Sequence, residues 1–156
     1  MILSQELKRL IDELIAQSYQ DGIQKFVVGA VIKRGYLILL LKRNEDDFMG
    51  GLVELPSGSV EAEESLIEAL GREIYEETGL SMTDVVQFLG TFDYISRSGR
   101  NVRQFNFLVV DSEGTVKLSK GEHSEYYWVL PKDINLGLYN ISEQTREIIG
   151  LIDCPD

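Results

Sequence analysis

An acidic, amphipathic segment at residues 58–80 constrains this chain more strongly than any other part of its sequence. It carries seven glutamates between positions 61 and 77, and its apolar residues recur at helical spacing. The spacing predicts a helix with one buried face. Glu73, Glu76 and Glu77 share another face, where like charges oppose helix formation by roughly 0.2–0.5 kcal/mol per pair. A divalent cation among the three carboxylates would relieve that repulsion.

The helical register places these acids along the rim of the predicted core. At about 100° per residue, one stripe contains the apolar residues Leu66, Ile67, Leu70 and Ile74. Glu77 lies just inside one edge of this stripe, Glu73 just outside it and Glu76 further round. We expect the helix to begin near residue 62 or 63. It should end at Gly79, since glycine readily adopts the left-handed conformation that closes many helices.

The net charge of the chain limits which classes of molecule it can bind. The net charge of −11 argues against a nucleic-acid polymer, because binding a phosphate backbone needs a basic face. It also opposes a small anionic substrate, unless bound Mg²⁺ or Mn²⁺ inverts the local field. From composition and spacing, a solvated acidic helix face and a metal site for phosphate chemistry are therefore both open interpretations.

Three features of the sequence predict a cytoplasmic protein that does not span a membrane. The longest aliphatic stretches, at residues 26–32 and 37–41, are too short to cross a bilayer. The first twenty residues mix charged with apolar side chains, unlike a signal peptide. The single cysteine, Cys154, excludes an internal disulfide, which is typical of a reducing compartment.

The remaining pattern predicts a mixed sheet flanked by helices in one layered domain. A helix is expected from residue 3 to about 21, followed by a hairpin at 25–32 and 36–41 and an extended piece at 52–55. After the acidic helix we expect a long hairpin at 85–96 and 101–110, with short strands at 115–118 and 126–130. A closing helix is predicted at 141–152, capped by Asn140.

The acidic segment resembles the Nudix box. All nine defining positions match at the correct spacing, namely Gly58, Glu64, Arg72, Glu73, Ile74, Glu76, Glu77, Gly79 and Leu80. Two features depart from the usual pattern. Ser57 stands where the family has glycine or alanine, and Gly71 interrupts the helix at a cost of about 1 kcal/mol relative to alanine. The resemblance covers residue 25 to the end of the chain.

The resemblance implies the fold class α/β, as a Nudix-type α/β/α sandwich with a mixed β-sheet and an added N-terminal helix. On this interpretation residues 1–22 form a helix packed on the domain, and residues 23–156 form the Nudix hydrolase domain. Members of the family are often dimers, so the resemblance is compatible with a homodimer.

The resemblance also implies a MutT-like enzyme that hydrolyses a nucleoside diphosphate linked to another moiety. In such a site Mg²⁺ or Mn²⁺ would be held by the Gly58 carbonyl, Glu73, Glu76 and Glu77. Glu64 would bind a water or a further metal, and Arg72 would orient the carboxylates. The metal would polarise the phosphates and lower the pKa of a bound water, whose proton passes to a carboxylate.

Several residues are candidates for proton transfer or substrate contact. Glu73 is the first choice as general base and Glu122, six residues before Trp128, the second. Glu125 is the runner-up in that loop and a candidate for substrate contact. Arg43 is a candidate for contact with a substrate phosphate, and a surface arginine explains it equally well. Tyr94 is a candidate for stacking on a base, although a place in the core is the default interpretation of this aromatic residue. His123 is interpreted as a loop histidine.

The expected substrate is a small nucleotide, most simply a nucleoside triphosphate cleaved to nucleoside monophosphate and pyrophosphate. ADP-ribose or another nucleotide sugar is the alternative. Family members that cleave ADP-ribose often carry a proline about sixteen residues past the box, and none lies between Pro56 and Pro131. A third hypothesis is a catalytically weak, Nudix-like nucleotide sensor.

Overall fold

The computed structural model describes residues 1–119 and 121–152, so that Cys154 lies outside the described residues. Its helices are α1 (Gln5–Gln20), α2 (Leu66–Thr78), a 3₁₀ helix (Pro131–Leu136) and α3 (Glu143–Ile149). Its strands are β1 (Lys25–Arg34), β2 (Leu37–Arg43), β3 (Val53–Glu54), β4 (Ser57–Ser59), β5 (Met82–Ile95), β6 (Asn101–Asp111) and β7 (His123–Val129).

The strands form one mixed sheet in the order β3-β2-β1-β6-β5, with β4 also paired to β1 and β7 also paired to β2. Strand β1 joins the two halves. It runs parallel to β6 over eight residues, yet pairs with β2 only at its end, where Lys33 lies opposite Ile38. Strands β5 and β6 form the predicted long hairpin. The strand β4 matters most for the site, because it lies antiparallel to β1 and carries Gly58 opposite Val28.

Helices cover both faces of the sheet. On one face, α1 and α2 pack over a core that includes Val28, Phe105 and Phe107. Helix α2 contributes its predicted apolar stripe, since Leu66, Leu70 and Ile74 are buried. On the other face, α3 and the 3₁₀ helix pack over a second core of β-strand residues, which includes Val31, Leu40 and Leu108. The mixed sheet and the N-terminal helix are therefore present as predicted.

The predicted start of α2 is wrong by about one turn. The helix begins at Leu66, and Ser65 is its N-cap, with a capping box that joins the Ser65 hydroxyl to the Glu68 backbone N–H. Glu63 has a positive φ of 65°, a left-handed conformation that a right-handed helix cannot contain. The residues before Ser65 therefore form a turn, which the acidic pattern did not reveal.

Two C-terminal expectations also require correction. Residues 115–118 form no strand, and the Lys117 backbone N–H instead donates to the Thr78 carbonyl at the end of α2. Helix α3 is shorter than predicted and is capped by Ser142, whose hydroxyl accepts from the Thr145 N–H, rather than by Asn140. No helix in residues 1–119 and 121–152 has the length and apolarity needed to span a bilayer.

Candidate metal and active site

Helix α2 presents its three clustered glutamates in three different environments. The capping box at Ser65 and the left-handed Gly79, with φ of 73°, fix the two ends of the helix and hence its register against the sheet. In that register Glu77 is only 4% exposed, Glu73 is partly buried and Glu76 faces solvent. The acidic face is therefore not a uniformly solvated surface.

Arg72 connects three carboxylates through one guanidinium group. Its Nε and Nη2 atoms donate to the two Glu64 carboxylate oxygens at 2.6 and 2.8 Å. Its Nη1 atom donates to Glu73 at 2.8 Å and to Glu76 at 3.2 Å, and Nη2 also donates to the Ser59 carbonyl at 2.9 Å. The bidentate contact with Arg72 holds the pKa of Glu64 down at about 2. A planar fork of this kind fixes the orientation of the acids.

Gly58 allows the Glu73 carboxylate to lie directly against strand β4. A Cβ atom at position 58 would stand only 2.0 Å from the Glu73 Cδ, which is far inside van der Waals contact. Burial raises the pKa of Glu73, and the charges of Glu76 and Glu122 act in the same direction against the lowering effect of Arg72. The predicted partners Gly58 and Glu73 are thus adjacent.

Glu77 is the most deeply buried acid of the site. The Ser57 backbone N–H donates to its Oε1 atom at 3.0 Å, and the Oε2 atom is buried without a partner among the described residues. Burial raises the pKa of Glu77 to about 9, and the negative charges of Glu54, Glu122 and Glu73 act in the same direction. Without a cation, this carboxyl group therefore carries a proton at neutral pH.

His123 is not a loop residue, and the prediction that it was is wrong. It is the first residue of β7, it is 7% exposed, and its Nε2 atom lies 2.9 Å from Glu54 Oε2. Arg43 Nε donates to the same Glu54 oxygen at 2.9 Å. The sequence did not identify Glu54 as a site residue, because β3 and β7 are brought together only by their common pairing with β2.

The remaining candidates divide into those at the cluster and those away from it. Glu122 belongs to the cluster, since it offers a carboxylate oxygen within 4.8 Å of ligand atoms of Glu77 and His123. Glu125 instead accepts a hydrogen bond from the Tyr127 hydroxyl, with the oxygen atoms 2.5 Å apart. This bond raises the pKa of Tyr127 to about 12.

Arg43 and Tyr94 lie near the Glu54 side of the site. Arg43 is held by its ion pair with Glu54 and by a bond to the Phe48 carbonyl. Tyr94 is 38% exposed, and its pKa is raised first by burial and then by the negative charge of Glu54. Its ring lies next to that of Phe92, with the centroids 6.2 Å apart. Both residues therefore lie beside the acidic cluster and are not members of it.

The donor set suits a divalent cation. Glu73 lies beside Gly58 and, like Glu76, accepts a hydrogen bond from Arg72, while Glu77, Glu122 and His123 each offer one ligand atom within 4.8 Å of those of the other two. Oxygen donors of this kind are those that Mg²⁺ and Mn²⁺ prefer. The buried Oε2 atom of Glu77 is the decisive observation, since an unpaired buried acceptor is costly without a proton or a cation.

Comparison with known proteins gives the family. The model of the NUDIX domain matches residues 24–149 of this chain. This chain belongs to the Nudix family. The Nudix hydrolase assignment and the Nudix-type fold predicted from the acidic box are thereby confirmed. Among solved structures, the MutT protein from Methanosarcina mazei has a TM-score of 0.71 and 31% identity, covering 83% of this chain and 93% of that one.

Curated relatives of this Nudix hydrolase act on different nucleotides. A CTP pyrophosphohydrolase of Escherichia coli is 36% identical over 107 residues, which cover 69% of this chain and 76% of the relative. A nucleoside triphosphatase, NudI, of Escherichia coli is 30% identical over 138 residues, which cover 82% and 96%. An ADP-ribose pyrophosphatase of Methanocaldococcus jannaschii is 41% identical over 94 residues, but these span only 54% of its length.

Proposed function

We propose that this Nudix hydrolase is a metal-dependent pyrophosphohydrolase that converts a nucleoside triphosphate to nucleoside monophosphate and pyrophosphate. The observation that carries the metal dependence is the buried Oε2 atom of Glu77, which has no hydrogen-bond partner within residues 1–119 and 121–152 and belongs to the same cluster as Glu122. The relatives named for CTP and for nucleoside triphosphates support the substrate class, because they match over 76% and 96% of their own lengths.

Different residues of the site have different roles in the proposed reaction. When bound, Mg²⁺ or Mn²⁺ neutralises charge on the phosphates and lowers the pKa of the attacking water. Arg72 holds Glu73 and Glu76 in fixed orientations, and the Ser57 N–H holds Glu77. The water oxygen attacks phosphorus, its proton passes to a carboxylate, and the bond to the pyrophosphate leaving group breaks.

Two carboxylates are proposed as alternative general bases. Glu73 lies against Gly58 and its pKa is raised by burial, which makes it a stronger proton acceptor than a solvated glutamate. Glu122 is more exposed and reaches the same cluster from the start of β7. The rate–pH profiles of Glu73→Gln and Glu122→Gln separate the two. If a substitution abolishes the fall in rate at acidic pH, the substituted residue is the general base. If it lowers the maximum rate but leaves the fall at acidic pH unchanged, the residue is a metal ligand.

Net charge and family support a proposal for the class of substrate and for the metal. A small nucleotide rather than a nucleic-acid polymer is the proposed substrate, because a net charge of −11 provides no basic face for a phosphate backbone. Mg²⁺ is the proposed metal, with Mn²⁺ as a substitute. A cytoplasmic location, a homodimer, and substrate contacts by Arg43, Tyr94 and Glu125 stay predictions.

ADP-ribose is the second candidate substrate. It is favoured by the relative named for that activity, which is 41% identical over the matched residues. The decisive experiment incubates the protein and Mg²⁺ with nucleoside triphosphates, ADP-ribose and nucleotide sugars, followed by chromatography of the products. Release of pyrophosphate from triphosphates supports the proposal. Turnover of ADP-ribose alone would replace it by the second candidate, and no turnover of any compound favours a sensor.

A matched pair of variants shows whether turnover belongs to this site. Glu77→Gln removes one metal ligand and should reduce turnover by about a hundredfold or more. Glu63→Gln makes the same change of charge at an exposed position in the turn before α2, and it should retain normal turnover. Equal activity of the two variants would contradict the assignment of Glu77.

A further inference from the structure

Two buried polar atoms face each other near the end of α2. Glu77 Oε2 and His123 Nδ1 are 3.9 Å apart, and their side chains are only 6% and 4% exposed. Within the part of the chain that the structure describes, neither atom has a hydrogen-bond partner. The separation is too long for a hydrogen bond between them. Buried polar atoms of this kind are rare without a bound group that satisfies them.

The contact that His123 Nε2 makes with Glu54 determines whether Nδ1 has a lone pair free to bind a cation. His123 Nε2 lies 2.9 Å from Glu54 Oε2, and Glu54 is held in turn by Arg43. Arg43 Nε donates to this same oxygen, so Glu54 acts as the acceptor on this side of the ring and Nε2 is the atom that carries the hydrogen. In the neutral imidazole, Nδ1 then presents its lone pair toward Glu77. A carboxylate behind a histidine is also the arrangement that orients metal-binding imidazoles and increases their basicity.

We propose that His123 supplies a nitrogen ligand to a divalent cation held together with Glu77 and Glu122. Two ligand atoms that are each about 2.1 Å from one ion lie at most about 4.2 Å apart, and the observed 3.9 Å is within this limit. Glu122 offers a carboxylate oxygen within 4.8 Å of one ligand atom of each of the other two residues and is exposed, so that a small movement of its side chain completes the set. This inference rests on the proposed metal-dependent function.

A nitrogen ligand changes which cations the site prefers. Carboxylates alone favour Mg²⁺ and Mn²⁺, whereas an imidazole adds affinity for Co²⁺ and Zn²⁺. The site therefore binds Co²⁺ more tightly than its acidic residues alone would provide, with a smaller benefit for Mg²⁺. This difference between metals separates a ligand from a residue that only supports the fold, because loss of support weakens both metals equally.

The first test uses the fact that His123 is the only histidine in the sequence. The untagged protein is loaded with Mn²⁺ alone and studied by pulsed electron paramagnetic resonance, with unlabelled and with ¹⁵N-labelled histidine. The expected result is a nitrogen coupling to the Mn²⁺ that changes with the label. Bound Mn²⁺ without such a coupling would overturn the inference, while triphosphate turnover in the nucleotide panel would leave the proposed function standing.

The second test compares two metals in one variant. His123→Gln places an amide near the Nε2 position, where it retains a donor for Glu54, and removes the group at Nδ1. Calorimetric titration should show Co²⁺ binding weakened by about tenfold or more and Mg²⁺ binding weakened clearly less. Equal losses for both metals would overturn the inference. If the variant fails to fold, the isotope-labelling experiment on the unmodified protein still decides.

Discussion

Gly58 sits where strand β4 and the Glu73 carboxylate make contact. Because a Cβ atom there would stand 2.0 Å from the carboxylate carbon, Gly58→Ala must displace Glu73 from its position beside Arg72. We expect turnover and Mn²⁺ affinity to fall by about tenfold or more, with a loss of roughly 1–3 kcal/mol in the free energy of unfolding. Steady-state kinetics and calorimetric Mn²⁺ titration measure these effects, and unchanged values in both would contradict this account of the glycine.

A second prediction at the scale of a residue concerns the pH dependence contributed by Glu77. Its pKa is about 9 in the metal-free fold and about 4.3 in an unfolded chain, so folding favours its protonated form. The resulting stabilisation is complete below about pH 4.3 and is lost as the pH rises through 9. With chelator present, the Tm of the wild type should therefore fall relative to that of Glu77→Gln between pH 5 and pH 9.

Thermal unfolding in the presence of a chelator at pH 5, 7 and 9 measures this difference. The substitution removes the titrating group while keeping a similar shape, so other acids affect both proteins alike. Parallel Tm curves for the two proteins would show that burial does not raise the pKa of Glu77 as described.

At the scale of an element, helix α2 is held by its ends and weakened in its middle. Gly71 lies one residue before Arg72, and a Cβ atom there would meet only Met82 Cε at an ordinary 3.5 Å. Gly71→Ala should therefore raise the free energy of unfolding by about 1 kcal/mol, which corresponds to roughly 2–4 °C in Tm. Differential scanning calorimetry measures the shift.

Gly79→Ala is the matched control in the same helix. Gly79 has a φ of 73°, and a Cβ atom there would approach Lys117 Cβ at 3.2 Å, so alanine should destabilise the protein. If both substitutions change the Tm in the same direction, conformation at these glycines is not what determines the effect.

At the scale of the whole molecule, the metal should offset the excess of negative charge. The chain carries a net charge of −11, and part of that charge is concentrated in partly buried carboxylates. Mg²⁺ or Mn²⁺ at 100 times its Kd should stabilise the fold by about 2.7 kcal/mol, or roughly 5–10 °C in Tm. Equal ionic strength supplied as a sodium salt is the control, and equal shifts with both salts would indicate screening rather than binding.

The acidic box was predictable because its information is local. The helical period of α2 alone assigns Leu70 and Ile74 to the core and brings Glu73, Glu76 and Glu77 together, since neighbours on a helix are separated by only three or four residues. The hairpin of β5 and β6 was equally accessible, because its turn and its alternating residues lie side by side in the sequence. The start of α2 was not, because it depends on the left-handed conformation of Glu63.

The sequence by itself therefore determined the family, the helix that carries the acids and the class of chemistry. Only the tertiary structure decided that Glu77 Oε2 is buried without a hydrogen-bond partner among the described residues and that His123 faces it, with Glu54 on the other side of the ring. These residues come from three separate elements, α2, β7 and β3. Strands β3 and β7 meet through their common pairing with β2, and α2 is held at β4 by the bond from the Ser57 N–H to Glu77. Burial and the electrostatic effects that follow from it depend on contacts between distant segments, and no local periodicity encodes such contacts.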